Sequence, residues 1–554
     1  MQNHLQRLSN FFTTSGNYYV TDITQWLNAN FQDNHCNLEI YPYLIAAAST
    51  KLGYVNKTFD NNIKNVCGEI AKQLLFELQE ILLAAPSESF ISSISFLHYH
   101  MILTFESFLW FCENYAKKIK LQHDNPFVTP ILQTLEQFSN QIEDDRVFKG
   151  LFKKFEGYIA IEKITLQLLL EITHDISIRA PYNNTSQTNL DLPLCLEYAR
   201  ALSHILRIRE EVSNRLACKK ELTFDCDGYI TYEQDEQLGT YDFGEKFLDW
   251  IVQKDNICSH NLYHKNFNPI CQKYIGFSIE ELLDLSDKIH FEYVHADVLL
   301  LTASELPQKV QELTGKGLEE ITKLISYLRR NPIENNDYIG VISDRPHRPL
   351  RKSILFYHHG ERMITSTLLF KNSLLGLISD IFYNRVDNNE LQGELTNITK
   401  AIDKQFEIEV LEQIKNNLTQ NICHGEDKLW DKAPYIMFPG EVDIIAFFED
   451  TLFVIECKNF SLKHTSQSIA NEINGFRKKS RKLAENLSFI HKNTYAILSK
   501  LGVKNISYDS NKKPIGLFVT KNFSLGQIID DINFPIINAC DLIVWMKKAK
   551  DSAM

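Results

Sequence analysis

The first part of the chain repeats apolar residues at spacings of three and four. The stretches IKNVCGEIAKQLLFELQEILLAA from Ile63 and LEYARALSHILRIREEVSNRLA from Leu196 predict amphipathic helices, and residues 1–215 read as mostly helical. A run rich in Asn, Thr and Pro from Arg179 separates two such blocks. Near Leu222 the period changes. LTFDCDGYITY alternates about an Asp-Gly pair, which predicts a β-hairpin within a mixed segment, 216–295. Asp225, Asp227 and Gly228 superficially match a calcium loop, but Thr223 and Gln234 stand where that loop needs its first carboxylate and its bidentate glutamate. Between 296 and 392, helices at Ser304–Leu313 and Gly317–Leu328 flank a Thr-Gly-Lys-Gly turn, and two strands around His358-His359-Gly360-Glu361 follow. A helix-turn-helix that reads DNA is one interpretation. A helical hairpin docking two larger domains is preferred, because Glu319 and Glu320 on the second helix's first turn would repel phosphates.

Composition narrows the class without identifying it. The 554 residues are 44% apolar and 23% charged, which fits several globular domains and excludes disordered or collagen-like architectures. Eleven cysteines include no Cys-x-x-Cys pair, so reduced and mostly buried thiols are expected. The N-terminus lacks the apolar core of a signal peptide, and the most apolar stretch, from Ser366, carries Lys371 and Asp380. A soluble cytoplasmic protein with no membrane contact is therefore expected. Net charge is −12 overall but unevenly spread. Residues 396–554 hold 21 Lys and Arg against 19 Asp and Glu, a net +2, leaving −14 for residues 1–395. Only the C-terminal part is suited to a phosphate backbone.

The chemistry concentrates in PGEVDIIAFFEDTLFVIECKNF, from Pro439 to Phe460. Two apolar runs, Val442–Phe448 and Leu452–Ile455, flank the acidic turn Glu449-Asp450 and predict adjacent buried strands. The first run starts with Asp443 and the second ends with Glu456 and Lys458. Burying such charges unpaired costs several kcal/mol, so they need strong partners. Glu456 and Lys458 are two apart and emerge on one face of their strand, with Asp443 able to lie beside them. Two converging carboxylates suit Mg²⁺, and a lysine beside them can orient a water.

Gly440-Glu441-Val442-Asp443 followed by Glu456-Cys457-Lys458-Asn459 resembles the motif of the PD-(D/E)xK nucleases, and within them the Mrr-type and NERD-like branches. The flanks agree. Phe406-Glu407 and Val410, in the helix from Lys400, resemble the family's first helix. The helix from Ser466, the strand PIGLFVTK and the segment NFPIINACDLIVWMKK resemble its remaining core elements. The likeness covers about Lys400–Lys548.

It implies a C-terminal α/β restriction-endonuclease-like domain (396–554), with a central mixed sheet flanked by helices, behind a mostly α-helical N-terminal region. It further implies an Mg²⁺-dependent endonuclease, with Mn²⁺ able to substitute, hydrolysing nucleic acid, DNA favoured over RNA, in bacterial restriction or antiphage defence. Asp443, Glu456 and Glu407 would hold the metal with the Cys457 backbone carbonyl, and Lys458 would position the attacking water. Glu409 and Glu412 compete with Glu407 for the helix carboxylate. Gln467 lies near the family's helix glutamine, although Asn471 stands where the family has tyrosine. Arg477, Lys478, Lys479, Arg481 and Lys482 would touch phosphates. The N-terminal helices would bind a regulatory partner or a second copy. The alternative is a non-catalytic nucleic-acid-binding or scaffold protein that keeps the fold. His98 with His100, His290 with His295, and His358-His359 lack the spacing of a metal set, and no P-loop occurs.

Overall fold

A computed structural model describes residues 40–82 apart from 61, scattered positions between 94 and 136, and then 145–179, 192–213, 221–232 and 264–292. It continues over 299–332 apart from 303, 351–357, 362–424 apart from 383, 439–459, 466–504, 512–521, 524 and 532–552. The chain is mostly helical, with a five-stranded mixed sheet near its C-terminus. It divides into two compact units, the second comprising Asp249–Asn266 and Gln392–Met554. His100, His295, His358, His359 and nearly all of the Asn-, Thr- and Pro-rich run lie outside the described residues.

In the first unit, helices α1 (Tyr41–Lys51), α2 (Ile63–Leu82), α3 (Asp145–Arg179) and α4 (Leu192–Ser213) share one apolar core. The helical period explains the packing: α2 buries Val66, Ile70, Leu74 and Leu78 on one face. Strand β1 (Thr58–Phe59) pairs with β2 (Leu222–Phe224), which forms a hairpin with β3 (Ile230–Tyr232). At the hairpin turn, Asp225 Oδ1 accepts from the backbone N–H of Asp227 at 2.9 Å and Tyr229 at 2.8 Å. That carboxylate is engaged by its own turn, as the hairpin reading expects.

Helices α5 (His264–Ile275), α6 (Ile279–Glu292), α7 (Glu305–Thr314) and α8 (Leu318–Leu328) follow, with β4 (Leu299–Thr302), β5 (Leu355–Tyr357) and β6 (Arg362–Thr365). The three strands form an antiparallel sheet in the order β4-β6-β5. β6 and β5 are the predicted pair, and β4 joins them from the Leu299–Thr302 run. Between α7 and α8, Gly315 takes a left-handed φ of 67° that ends α7. Lys316 in this turn pairs with Glu281 at 2.8 Å and Glu320 at 3.4 Å, holding the hairpin against α6. Helix α9 (Thr367–Phe382) covers the most apolar stretch of the sequence. It packs on α6 and buries Asp380. No helix among the described residues is long and apolar enough to cross a membrane.

In the second unit, α10 (Asn389–Asn417, its first residues belonging to the first unit) precedes β7 (Ile422–His424), β8 (Ile444–Phe448) and β9 (Thr451–Lys458). After α11 (Ser466–Lys492) and α12 (Thr494–Lys500) come β10 (Ile515–Thr520), β11 (Ile536–Asn538) and α13 (Leu542–Ser552). The sheet order is β11-β10-β9-β8-β7. β7, β8 and β9 are antiparallel neighbours, whereas β9, β10 and β11 run parallel. One face packs Ile445, Val454 and Phe518 against Phe476 and Leu483 of α11. The other packs Ile444, Ile455 and Val519 against Phe406 and Val410 of α10 and Met546 of α13. Both faces are covered, which explains why β8 and β9 read as continuous apolar runs. At Gly516 a Cβ would stand 2.6 Å from a Leu487 methyl, so glycine lets α11 approach β10 closely. Glu449 and Asp450 close the β8–β9 hairpin with φ of 43° and 60°, the left-handed pair a tight two-residue turn requires.

Candidate functional site

The β8–β9 register sets the geometry. Ile444 lies opposite Ile455, so Asp443, one residue before β8, falls beside Glu456. The Cys457 N–H donates to Asp443 Oδ2 at 2.7 Å, locking that carboxylate to the end of β9. Buried Asn486 on α11 donates to the Glu441 carbonyl at 3.0 Å and ties the same segment to the helix. Lys458 Nζ donates to Glu456 Oε2 at 3.1 Å and to the Cys457 carbonyl at 2.7 Å, and stands 3.5 Å from Asp443 Oδ2. The three charged groups named from the sequence therefore converge. Asp443 and Glu456 are only 5% and 6% exposed, so this cluster is held out of water.

The electrostatics are lopsided. Burial raises the Asp443 pKa, Lys458 pulls it down and Glu407 pushes it up, with a net rise. Burial also raises Glu456; Lys458 and Lys479 oppose this, while Asp443 adds to it. Burial pulls Lys458 down, but the two carboxylates outweigh it and hold the ammonium above its ordinary range. Lys458 thus serves two carboxylates, and both stay raised beside it.

Glu407 is half-buried on α10, and its charge reaches Asp443. Of its competitors, exposed Glu412 pairs with Lys415 at 3.5 Å. Cys457 packs its side chain among Phe406, Val410 and Leu517, on the sheet face away from α11, and burial pushes its thiol well up. Only its backbone faces the cluster. Gln467 occupies the first turn of α11. Among the basic residues, Lys478, Arg481 and Lys482 are exposed and Arg477 Nη1 donates to Asn474 at 3.0 Å. Lys479, half-buried at the margin of this face, is the member whose charge reaches Glu456.

Asp403 and Lys521 join the site without having stood out in the sequence. Asn459 Nδ2 donates to Asp403 Oδ1 at 3.1 Å, bridging the end of β9 to α10 one turn before Glu407. Desolvation raises the pKa of Asp403, which is exposed at the surface; the Asn459 hydrogen bond, Lys458 and Lys521 oppose this, and Glu407 adds to it. The i, i+4 spacing of Asp403 and Glu407 is the signal that places both on one helix face. Lys521, buried directly after β10, donates its N–H to the Lys458 carbonyl at 3.3 Å.

Among the described residues, no group of three or more His, Cys, Asp or Glu side chains is arranged to hold a metal ion. The donors that do converge are two carboxylates and a backbone carbonyl. This is a hard-oxygen set of the kind Mg²⁺ uses when waters and substrate phosphate complete its shell. Comparison of the chain with protein-family models, curated proteins and solved structures finds no match.

Proposed function

We propose that the chain is a metal-dependent nuclease, hydrolysing phosphodiester bonds through a restriction-endonuclease-like domain that spans the second unit. The observation that supports this most is the convergence of Asp443, Glu456 and Lys458 at one end of the β8–β9 hairpin. Buried carboxylates in excess over their own cation favour a further positive charge. Asp443, Glu456 and the Cys457 carbonyl would hold Mg²⁺ or Mn²⁺, with Glu407 adding negative field. The bound ion supplies Lewis-acid stabilisation of the charge that builds on the phosphoryl oxygens. Lys458, donating from a flexible stem, holds a water or a phosphate oxygen at the scissile bond. Asn486 and the Cys457 N–H keep Asp443 in place. Lys479 and the exposed basic face of α11 approach the phosphate backbone. DNA is the favoured substrate, and bacterial restriction or antiphage defence in the cytoplasm is the setting that family likeness suggests. In the same reading the first unit regulates cutting or recruits a partner.

The test is incubation of plasmid DNA, single-stranded DNA and RNA with the full chain, in Mg²⁺ and in EDTA, beside Asp443→Ala and Lys458→Ala. Metal-dependent cutting that both substitutions remove is the expected result. Cutting that survives both substitutions, or that is equal in EDTA, would sink the proposal. Binding without cutting of any substrate would favour a non-catalytic nucleic-acid-binding protein.

A further inference from the structure

The contacts of Lys458 bear on the order in which the site fills, an inference that rests on the nuclease reading above. We propose that Lys458 is the resident counter-ion of its own metal site. A divalent cation then gains both carboxylates only as the ammonium leaves them for a phosphodiester.

An ammonium has three donors and no acceptor. Here it hydrogen-bonds Glu456 Oε2 and the Cys457 carbonyl and lies 3.5 Å from Asp443 Oδ2. These are the same oxygens that would bind the metal. Two cations cannot share them at such distances without strong repulsion. Asp443 is fixed by the Cys457 N–H and both carboxylates stand at the ends of a paired hairpin, so the flexible four-carbon stem of Lys458 is the part most able to move. An approaching phosphodiester offers the ammonium new acceptors and offers the cation further oxygen ligands. Metal and substrate therefore bind with positive coupling, each raising the affinity of the other. Metal therefore binds weakly to the free protein, and the site fills only when nucleic acid is present.

Mn²⁺ alone is the probe, with free ion followed by electron paramagnetic resonance on the full chain. Lys458→Met and Lys458→Gln are expected to bind Mn²⁺ at least about tenfold more tightly than wild type, although both lose cutting. Lys479→Met removes an equal charge farther away and should stay within about threefold of wild type. Asp443→Asn should bind none at the same concentrations. Gln keeps a donor for the Cys457 carbonyl, so it carries the measurement if the Met variant fails to fold. Equal Mn²⁺ affinity in wild type and both Lys458 variants would overturn the counter-ion role and leave the metal reading standing. A Lys479→Met gain as large as that of Lys458→Met would also overturn it, because the effect would then be a general field. Absence of Mn²⁺ binding in every form would remove the metal reading as well.

Discussion

Each unit of this protein buries an ionic cluster, and the two are built to opposite ends. In the first unit Arg330 reaches Asp175 with both Nη atoms, one hydrogen bond going to Oδ1 and the other to Oδ2 at 3.3 Å, and His174 Nδ1 lies between them, 3.2 Å from Asp175 Oδ1, where it donates to the carboxylate or accepts from Arg330 according to its tautomer. Arg330, Asp175 and His174 are nearly fully buried. Burial pushes the Asp175 carboxyl up, yet the His174 and Arg330 hydrogen bonds and the Arg330 charge drive it well below its ordinary range. In the second unit Asp443 and Glu456 are buried to a similar degree, and both are raised. The difference is stoichiometry. Arg330 sets both Nη atoms on the two oxygens of one carboxylate; Lys458 is divided between two carboxylates, and the Glu407 charge pushes Asp443 further up. A matched pair has no use for another ion, and a mismatched one does.

The largest expected effects separate the clusters by what they lose. Lys458→Ala should cut cleavage by on the order of 10³-fold or more while the protein stays folded, checked by single-turnover kinetics beside circular dichroism. Asp443→Asn should do the same and leave the melting temperature unchanged or slightly raised, since it removes one of two repelling carboxylates. The identical exchange at Asp175 should act in reverse. It removes the negative charge that both Nη atoms of buried Arg330 meet and should cost about 3–5 kcal/mol of stability, read by denaturant unfolding. If Asp175→Asn proves neutral for stability, the first cluster is not a structural pair and the contrast fails.

Acid should also divide them. Burial holds His174 neutral, its pKa lowered to about 4, whereas the unfolded chain takes the proton near pH 6.5. A folded-state pKa below the unfolded value means stability is full above about pH 6.5 and is lost as pH falls toward 4, by on the order of a few kcal/mol. Asp443 and Glu456 have the opposite sign. Their folded pKa values lie above the unfolded ones, so they withdraw stability as pH rises past the ordinary carboxylate range of about 4. Unfolding measured between pH 4 and 7 should therefore show the first unit weakening in acid, with His174→Asn flattening the dependence.

How far the chain could be read without its structure follows from range. The β8–β9 hairpin was legible because its signals are local: apolar runs, a two-residue acidic turn, and charges where apolar strands end. The spacing of Glu456 and Lys458 determines their shared face, and the short turn brings Asp443 beside them. Helices such as α2 and α11 declared themselves through periodicity. Long-range choices left no such trace. Nothing near Thr58 announces pairing with Thr223, and nothing near Arg330 singles out Asp175, 155 residues earlier, among the other acids. The Asp403–Asn459 bridge fails for the same reason, since a helix turn and a strand end meet only once α10 packs on the sheet. The basic run on α11 was visible as composition, but only packing distinguishes Lys479 from its exposed neighbours.

The smallest effects test that distinction most finely, because their signs differ. Glu407 raises Asp443, so Glu407→Gln should let Asp443 ionise at lower pH and shift the acid limb of the cleavage profile down. Lys479 lowers Glu456, so Lys479→Met should move the same limb up. It should also weaken substrate binding a few-fold and reduce the salt dependence of log affinity by about one unit of slope, as loss of one phosphate contact does. Lys482→Met, from the exposed part of the same helix, should weaken binding by a similar or smaller factor and leave the limb where it was. Opposite shifts for Glu407 and Lys479, with none for Lys482, would mean that the margin of α11 belongs to the carboxylate cluster electrically and the rest of its basic face only to the phosphate backbone. A uniform response of the three would reduce Lys479 to one more solvated charge.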